Sequence, residues 1–573
     1  MEKLNGIAAS EGIAVAKIYK LEKEKLNVKK LRVTDYKREI KKLNDALSKA
    51  ENQINNLKIK ALKKLGEEKA SIFDAHLEIL KDPELKDKVL QKIRDEKINC
   101  SYAFEFIINQ FKEIFQNMDD SYMKERASDI GDVGYRVLSI LEGKKIKDLS
   151  LINKEVIILA NDLSPSETSQ LDAKFVKGFV TEIGGKTSHS AIMARTLEIP
   201  AIVGIGNKIS KLKDEQEILI DGTAGILIIS PDQKTKDFYN NKKTQELITK
   251  KEEQTFKAKE SKTKDNWKTK IAANIGSPDD LEGYHNFGAE GIGLFRSEFL
   301  YMEAQNWPTE EEQFNAYKKV LESIKPNLTV IRTLDIGGDK TLKYYQFPKE
   351  MNPFLGYRAI RVQLDQKELL VTQIRALLRA SYYGNLAINI PMIATIDEFK
   401  KVKEIIIDVE KKLLKEGKKI GKYQLGIMVE IPSTVILAEK FAKYVDFFSI
   451  GTNDLIQYTF AADRMSKSVS YLYQPFNPAI LESIKKVIDS SHKYNKWTAI
   501  CGEMANEEKL APLFVGMGLD EFSMSSTSIL KIRRVIAKVD KKNAEKLVEK
   551  VLNLETSDQV ENLLTNYLKN ILI

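Results

Sequence analysis

From residue 263 to the C-terminus the chain repeats one rhythm eight times, a short apolar run followed by a longer stretch of helix-forming residues. The runs are TKIAANIG (269–276), GIGLFRSE (291–298), LTVIRTLDIGG (328–338), LAINIPMIA (386–394), YQLGIMVEIP (423–432), VDFFSIGTND (445–454), WTAICGEM (497–504) and EFSMS (521–525). Strands that each need a returning helix pair in parallel, and eight such units close a (β/α)8 barrel. A barrel of this kind takes about 250 residues, which leaves room here for a C-terminal extension. Its catalytic groups stand where the strands end.

The residues that close each run share a chemical theme. The second run finishes at Arg296 and Glu298, and the third carries Arg332 and Asp335. Glu430 closes the fifth, Asn453 and Asp454 the sixth, and Cys501 and Glu503 the seventh. Arg358 lies in NPFLGYRAIR and Arg464 in AADR. Any one arginine is ordinarily a surface ion-pair member, and a lone cysteine is ordinarily a small buried hydrophobe. Several such groups at one end of a barrel point instead to a small, highly charged anion, because guanidinium forks pair with phosphate and carboxylate. Glu430 and Asp454 beside a phosphate suit Mg2+, which takes one or two carboxylates and completes its shell with substrate oxygens and water.

The first half is built differently. Residues 6–20 read as two short strands around a turn at Gly12. Tyr36, Ile40, Leu43, Leu47, Ala50, Ile54 and Leu57 then follow a heptad-like seam behind Thr34, the expected N-cap. KDPELKDKVLQKIRDE restarts a helix with Asp82 as cap and Pro83 in its first turn, and YMKERASDIGDVGYRVLSILEGKK gives another, stopped near Gly143. EVIILA, GFVTEIGG, AIVGIG and EILIDGTAGILIIS return to short β-rich runs between Gly/Asp turns. The expected plan is multidomain α/β: a β/α domain from residues 1–21 and 146–230, an inserted α-helical bundle at 22–145, an exposed linker helix at 231–262, and the C-terminal (β/α)8 TIM barrel at 263–573.

A net charge of +9 invites a nucleic-acid partner, yet 91 Lys and Arg stand among 82 Asp and Glu with no concentrated basic face. No nucleic acid is expected. Two cysteines make no disulfide framework and no zinc cluster. No apolar run reaches the length of a membrane span, and MEKLNGIAASEG lacks a secretory pattern, so a reducing cytoplasmic location is expected. One of only four histidines, His189, sits in GGKTSHSAIMAR at the mouth of an expected helix. Helix N-terminal amides favour a phosphate there, Gly184 and Gly185 allow close backbone approach, and neutral imidazole is a competent nucleophile.

GGKTSHSAIMARTLEIPAIVG resembles the phosphohistidine signature of the PEP-utilising enzymes. With DLSPSET, IFDAHLEILKDPEL, ERASDIGDVGYRVL, GIGLFRSEFL, NPFLGYRAIR and VEIPSTVILAEKFAKYVDFFSIGTNDLIQYTFAADR, the chain is similar throughout its length to the enzyme I family of the sugar phosphotransferase system. The resemblance implies that His189 takes the phosphoryl group of phosphoenolpyruvate on Nε2 and passes it to the carrier protein HPr, docked on the helical bundle. It implies that Arg296, Arg332, Asn453, Asp454 and Arg464 hold phosphoenolpyruvate, with Arg358 a further anion contact. Glu430 and Asp454 are the implied Mg2+ ligands, Cys501 the proton donor to the enolate, and the barrel the interface of a homodimer. Thr168 is expected to orient the His189 ring.

Glu67, Glu68, His76, Asp82 and Glu84 form the expected carrier-docking face, with an ordinary solvated helix surface as the alternative. Lys186, Glu11 and Asn477 depart from the family pattern without touching an assigned position. The rivals are an ATP-dependent PEP synthase-like activity and a regulatory phospho-relay with a degraded site.

Overall fold

Short runs of Ile, Val and Leu in the first 230 residues form eight strands of one mixed sheet. They are β1 (Glu2–Asn5), β2 (Ile7–Ser10), β3 (Ile13–Leu21), β4 (Val156–Ala160), β5 (Val176–Thr181), β6 (Ala201–Val203), β7 (Glu217–Asp221) and β8 (Ile226–Ile229). Their order is β1-β8-β7-β3-β4-β5-β6-β2. β3, β4, β5 and β6 pair in parallel, while β7, β8 and both outermost strands pair antiparallel. Both edges of the sheet therefore come from the first ten residues, with Gly6 between them. The computed structural model describes residues 2–21, 26–65, 70, 72–116, 121–144, 146, 149, 152–168, 170–185, 188–302, 304–338, 340–342 and 344–572. It divides into two units, Met1–Leu247 and Ile248–Ile573.

Between β3 and β4 the chain leaves the sheet for the helices Tyr36–Leu65, Ile72–Lys81, Pro83–Glu96, Cys100–Gln116 and Ser121–Leu141. Leu43, Ala50 and Ile54 on the first helix are wholly buried against Phe73, Val89, Ile93, Phe104 and Val137, as a seam of alternating apolar positions requires. Asp82 caps the third helix by accepting N–H bonds from Glu84 and Leu85. The first helix begins one residue later than Thr34 would set it. The Asp35 carboxylate accepts the Arg38 N–H at 3.1 Å and takes the capping role.

The eight apolar runs of the second half form β9 (Lys270–Ile275), β10 (Gly291–Arg296), β11 (Leu328–Arg332), β12 (Asn385–Ile390), β13 (Tyr423–Val429), β14 (Phe447–Ile450), β15 (Trp497–Ile500) and β16 (Glu521–Met524). All pair in parallel, β16 returns to β9, and the barrel closes. The outward faces of these strands and the apolar faces of the surrounding helices make one continuous core. The helices Lys541–Val551 and Ser557–Leu572 form the C-terminal extension.

The charged segment after β8 is a helix, Gln233–Gln254, held at both ends. In the first unit Tyr239 packs against Ile13, Leu219 and Ile228, and Lys236 and Lys242 pair with Glu217 and Asp221, both at 2.5 Å. In the second unit Arg534 meets Glu252 at 3.5 Å and Glu253 at 3.7 Å. Buried Arg533 there donates to the carbonyls of Phe256, Lys257 and Gly288.

One ion pair makes the barrel sensitive to pH. His492 donates or accepts through Nε2 at 2.9 Å from Asp520, whose carboxylate also accepts the Thr498 N–H. The hydrogen bond to Asp520 raises the His492 pKa above 6.5, against partial burial. A raised folded-state pKa adds stability that is complete below the unfolded value and is lost as pH climbs through the folded value. The urea midpoint of the barrel is expected to fall between about pH 6 and about pH 8, and His492→Gln to flatten that part of the profile.

Candidate active site

At the C-terminal mouth of the barrel the strand ends surround a cavity of about 490 Å3. Arg296 is the last residue of β10 and lies exposed at the rim, with no hydrogen bond or ion pair among the described residues. Two residues further on, Glu298 is buried. Arg332 ends β11, also buried, and Asp335 follows in the loop. Gly337 and Gly338 then turn the chain back with φ of 110° and 69°, which aims Lys340 inward.

These side chains form one ion network. Arg332 Nη2 donates to Glu298 Oε1 at 2.5 Å and lies 3.0 Å from Asp335 Oδ2. Lys340 Nζ reaches the same two carboxylates at 2.9 and 3.0 Å. Arg358 Nη2 donates to Asp335 Oδ1 at 2.9 Å, and its Nη1 to the Tyr458 hydroxyl at 3.1 Å and Asp454 Oδ1 at 3.5 Å. Arg464 Nη1 lies 3.6 Å from Asp454 Oδ2. Burial works against every one of these charges. Arg332 and Lys340 outweigh it to keep Glu298 below the usual carboxylate range, and with Arg358 they hold Asp335 far below. Arg332 and Arg358 each retain a buried Nε without a partner among the described residues.

Glu430 is the exception. It follows β13, is almost fully buried, and accepts the Met392 N–H at 2.6 Å. Burial, reinforced by Asp454 and Asp335, pushes its pKa up to about 8. Glu430 and the neighbouring Asp454 both face the cavity, a donor set of hard oxygens that fits a divalent cation. Gly451 keeps that approach open, because a Cβ there would lie 2.9 Å from Glu430 Oε2. Among the described residues no cluster of three His, Cys, Asp or Glu forms a closed metal cage.

Asn453 and Asp454 open the helix Thr452–Thr459 after β14. Asn453 Oδ1 accepts from the Tyr473 hydroxyl at 3.1 Å and the Glu503 N–H at 3.2 Å. Cys501, one residue past β15, is buried, and its Sγ donates to the Ile450 carbonyl at 3.5 Å. Burial raises its thiol pKa, which keeps it protonated.

The barrel thus brings together eight of the nine expected site residues. His189 belongs to the first unit. It opens the helix His189–Thr196, whose cap is Ser188, the Oγ accepting the Ala191 N–H at 3.3 Å. Buried Thr168 donates its hydroxyl to the Ser164 carbonyl at 3.1 Å. Lys186, Glu67 and Glu68 lie outside the described residues. His76 is only 2% exposed and faces Asp129 at 3.4 Å, so it cannot belong to a docking face. Lys340, Tyr458 and Tyr473 were not expected in the site; for Lys340, the glycine pair that folds LDIGGDK back was the available signal.

A larger cavity, about 1040 Å3, lies at the opposite end, where Lys270, Leu328, Asn385, Trp497 and Glu521 begin their strands. That end of a barrel serves stability, and the arginines converge at the other.

Three family models match in order. They are "PEP-utilising enzyme, N-terminal" over residues 5–126, "PEP-utilising enzyme, mobile domain" over 152–225, and "PEP-utilising enzyme, PEP-binding domain" over 250–541. The chain is 51% identical over 571 residues to the phosphoenolpyruvate-protein phosphotransferase of Mycoplasma capricolum, covering 100% of both chains. It is 51% identical to that of Bacillus subtilis strain 168 over 98% of both, and 51% identical to that of Listeria innocua over 99% of both. The chain belongs to the phosphoenolpyruvate–protein phosphotransferases. This phosphotransferase moves a phosphoryl group from phosphoenolpyruvate to protein. Among the described residues no helix is long and apolar enough to cross a membrane.

Removing one member of the buried network strands the others. Asp335→Ala leaves Arg332, Lys340 and Arg358 without their shared carboxylate, and a loss of about 3–5 kcal/mol is expected in denaturant titration of the barrel.

Proposed function

We propose that phosphoenolpyruvate binds at the C-terminal mouth of the barrel and that His189 takes its phosphoryl group. One observation carries this reading: Arg332, Arg358 and Arg464 line the same cavity as Glu430 and Asp454. Arg296, Arg332, Arg358 and Arg464 hold the phosphate and carboxylate, and Asn453 and Asp454 complete the substrate's contacts. Glu430 and Asp454 would hold Mg2+, which when bound supplies positive charge to phosphate and enolate oxygens.

Neutral His189 attacks phosphorus in line through Nε2, and the arginines stabilise the charge that gathers on the leaving enolate oxygen. Cys501 donates its proton to the methylene carbon, giving pyruvate. The phosphoryl group then passes from His189 to a histidine of HPr. Residues 22–145 are the carrier-binding domain, residues 1–21 and 146–230 the swivelling phosphohistidine domain, and 263–573 the substrate-binding and dimerisation domain. Asp82 and Glu84 stay on the docking face, although Asp82 also serves as a helix cap.

One histidine serving two partners requires a rigid-body swing. The linker 231–262 carries it. Contacts at both ends of its helix favour a hinge in the exposed middle, near Leu247 and Ile248. The barrel also carries the interface of a homodimer. The location is cytoplasmic.

Incubation with radiolabelled phosphoenolpyruvate and Mg2+, without nucleotide, is expected to leave an acid-labile label on the His189 peptide. His189→Ala should abolish that label and all HPr phosphorylation while phosphoenolpyruvate binding, measured by calorimetry, stays within about twofold. Loss of binding in that variant would overturn the site assignment. Cys501→Ser should lower pyruvate formation by at least about tenfold with a smaller change in substrate affinity, in coupled steady-state assays.

A further inference from the structure

Cys501 sits where its strand leaves the sheet. The ladder of β15 ends at Ile450↔Ile500 on one side and at Ile500↔Phe522 on the other. The Cys501 N–H still finds the Ile450 carbonyl at 3.1 Å, but no strand supplies a donor to its own carbonyl. A side chain does so. Asn274, on β9 two strands along from β15, donates from Nδ2 to the Cys501 carbonyl oxygen at 3.2 Å.

The Asn274 amide has one possible orientation. A carbonyl oxygen can only accept, so Nδ2 must face Cys501 and Oδ1 must face away. Ser523, on β16, donates its hydroxyl to that Oδ1 and fixes the amide. Gly293 on β10 makes room for the pair, since a Cβ there would overlap Ser523 Oγ. Two residues beyond Cys501, Asn453 Oδ1 accepts the Glu503 N–H at 3.2 Å. The segment Cys501-Gly502-Glu503 is thus clamped by an asparagine at each end. Polar side chains are unusual inside a barrel core of branched apolar residues. Asn274 and Ser523 use their polar groups there on a backbone carbonyl of the seventh strand and on each other.

We propose that Asn274, oriented by Ser523, is a positioning residue that sets the direction of the Cys501 thiol. The inference rests on the reading of Cys501 as the acid. In that step the S–H bond breaks, the enolate π electrons form the new C3–H bond, and the enolate oxygen becomes the ketone of pyruvate. The thiolate then regains a proton from solvent. A displaced thiol misses C3, and enolpyruvate escapes to be protonated in solution on either face.

The test uses full-length enzyme with Mg2+, HPr and phosphoenolpyruvate carrying a stereospecific deuterium at C3, run in tritiated water. Chirality of the pyruvate methyl group is the readout. Wild type is expected to protonate one face. Asn274→Ala should give a mixed product with an approximately tenfold lower turnover, an unchanged KM for phosphoenolpyruvate and an unchanged single-turnover rate of His189 labelling. Ser523→Ala, a smaller excision, should shift the same readouts by about threefold and serves if the asparagine variant fails to fold.

Cys501→Ala is the control. Mixed product from Cys501→Ala together with one-faced product at the wild-type rate from Asn274→Ala, or from Ser523→Ala in its place, overturns the positioning role. One-faced product from Cys501→Ala overturns the acid assignment itself.

Discussion

Arg332 keeps its charge when buried, and that charge is costly without partners. The cost of stripping water from a guanidinium is several kcal/mol, and only close carboxylates with good geometry offset it. Glu298 and Asp335 meet that need; both also pair with Lys340, and Asp335 with Arg358. The network ties the ends of β10 and β11 to the loop that carries Lys340 and to Arg358, 26 residues beyond Arg332 in the chain. The mouth of the barrel is therefore assembled as one object. Its cationic groups are held in place by the protein's own carboxylates, the kind of preorganisation that electrostatic stabilisation requires.

Charge is unevenly shared across that mouth. Arg332 and Lys340 keep Glu298 and Asp335 ionised, while Glu430 is pushed towards its neutral form by burial and by Asp454. The side at Glu298 and Asp335 is saturated with internal cations, whereas Glu430 has no ion pair among the described residues. Such an imbalance does little for the stability of the barrel, and it gives the cavity a use for an external cation that the saturated side lacks.

The sequence spoke most clearly where periodicity and function coincide. Each strand end was readable because an apolar run stops at a charged residue, as at Arg296, Arg332 and Glu430. Lys340 was hidden, since a lysine after a glycine pair looks like any solvated loop residue until the turn aims it inward. Asn274 was hidden for the opposite reason: it lies within an apolar run, and its partner is a backbone oxygen 227 positions away. His76 and Asp35 show the limits of local pattern. A histidine between charged neighbours proved to be core, because its place on the helix faces Phe73 and Asp129. A carboxylate one residue after a threonine won the cap through its reach to the Arg38 N–H.

The edges of the first sheet have a consequence for how the chain is made. β1 joins β8 and β2 joins β6, so the opening ten residues find their partners only at positions 201–229. During synthesis they must wait, unpaired, while more than 190 later residues leave the ribosome, and the helical bundle has the chance to form in the meantime. Gly6, whose Cβ would crowd Ile202, is then the stitch that closes the sheet from both sides at once. Both edge strands are thus the last to be built into that sheet.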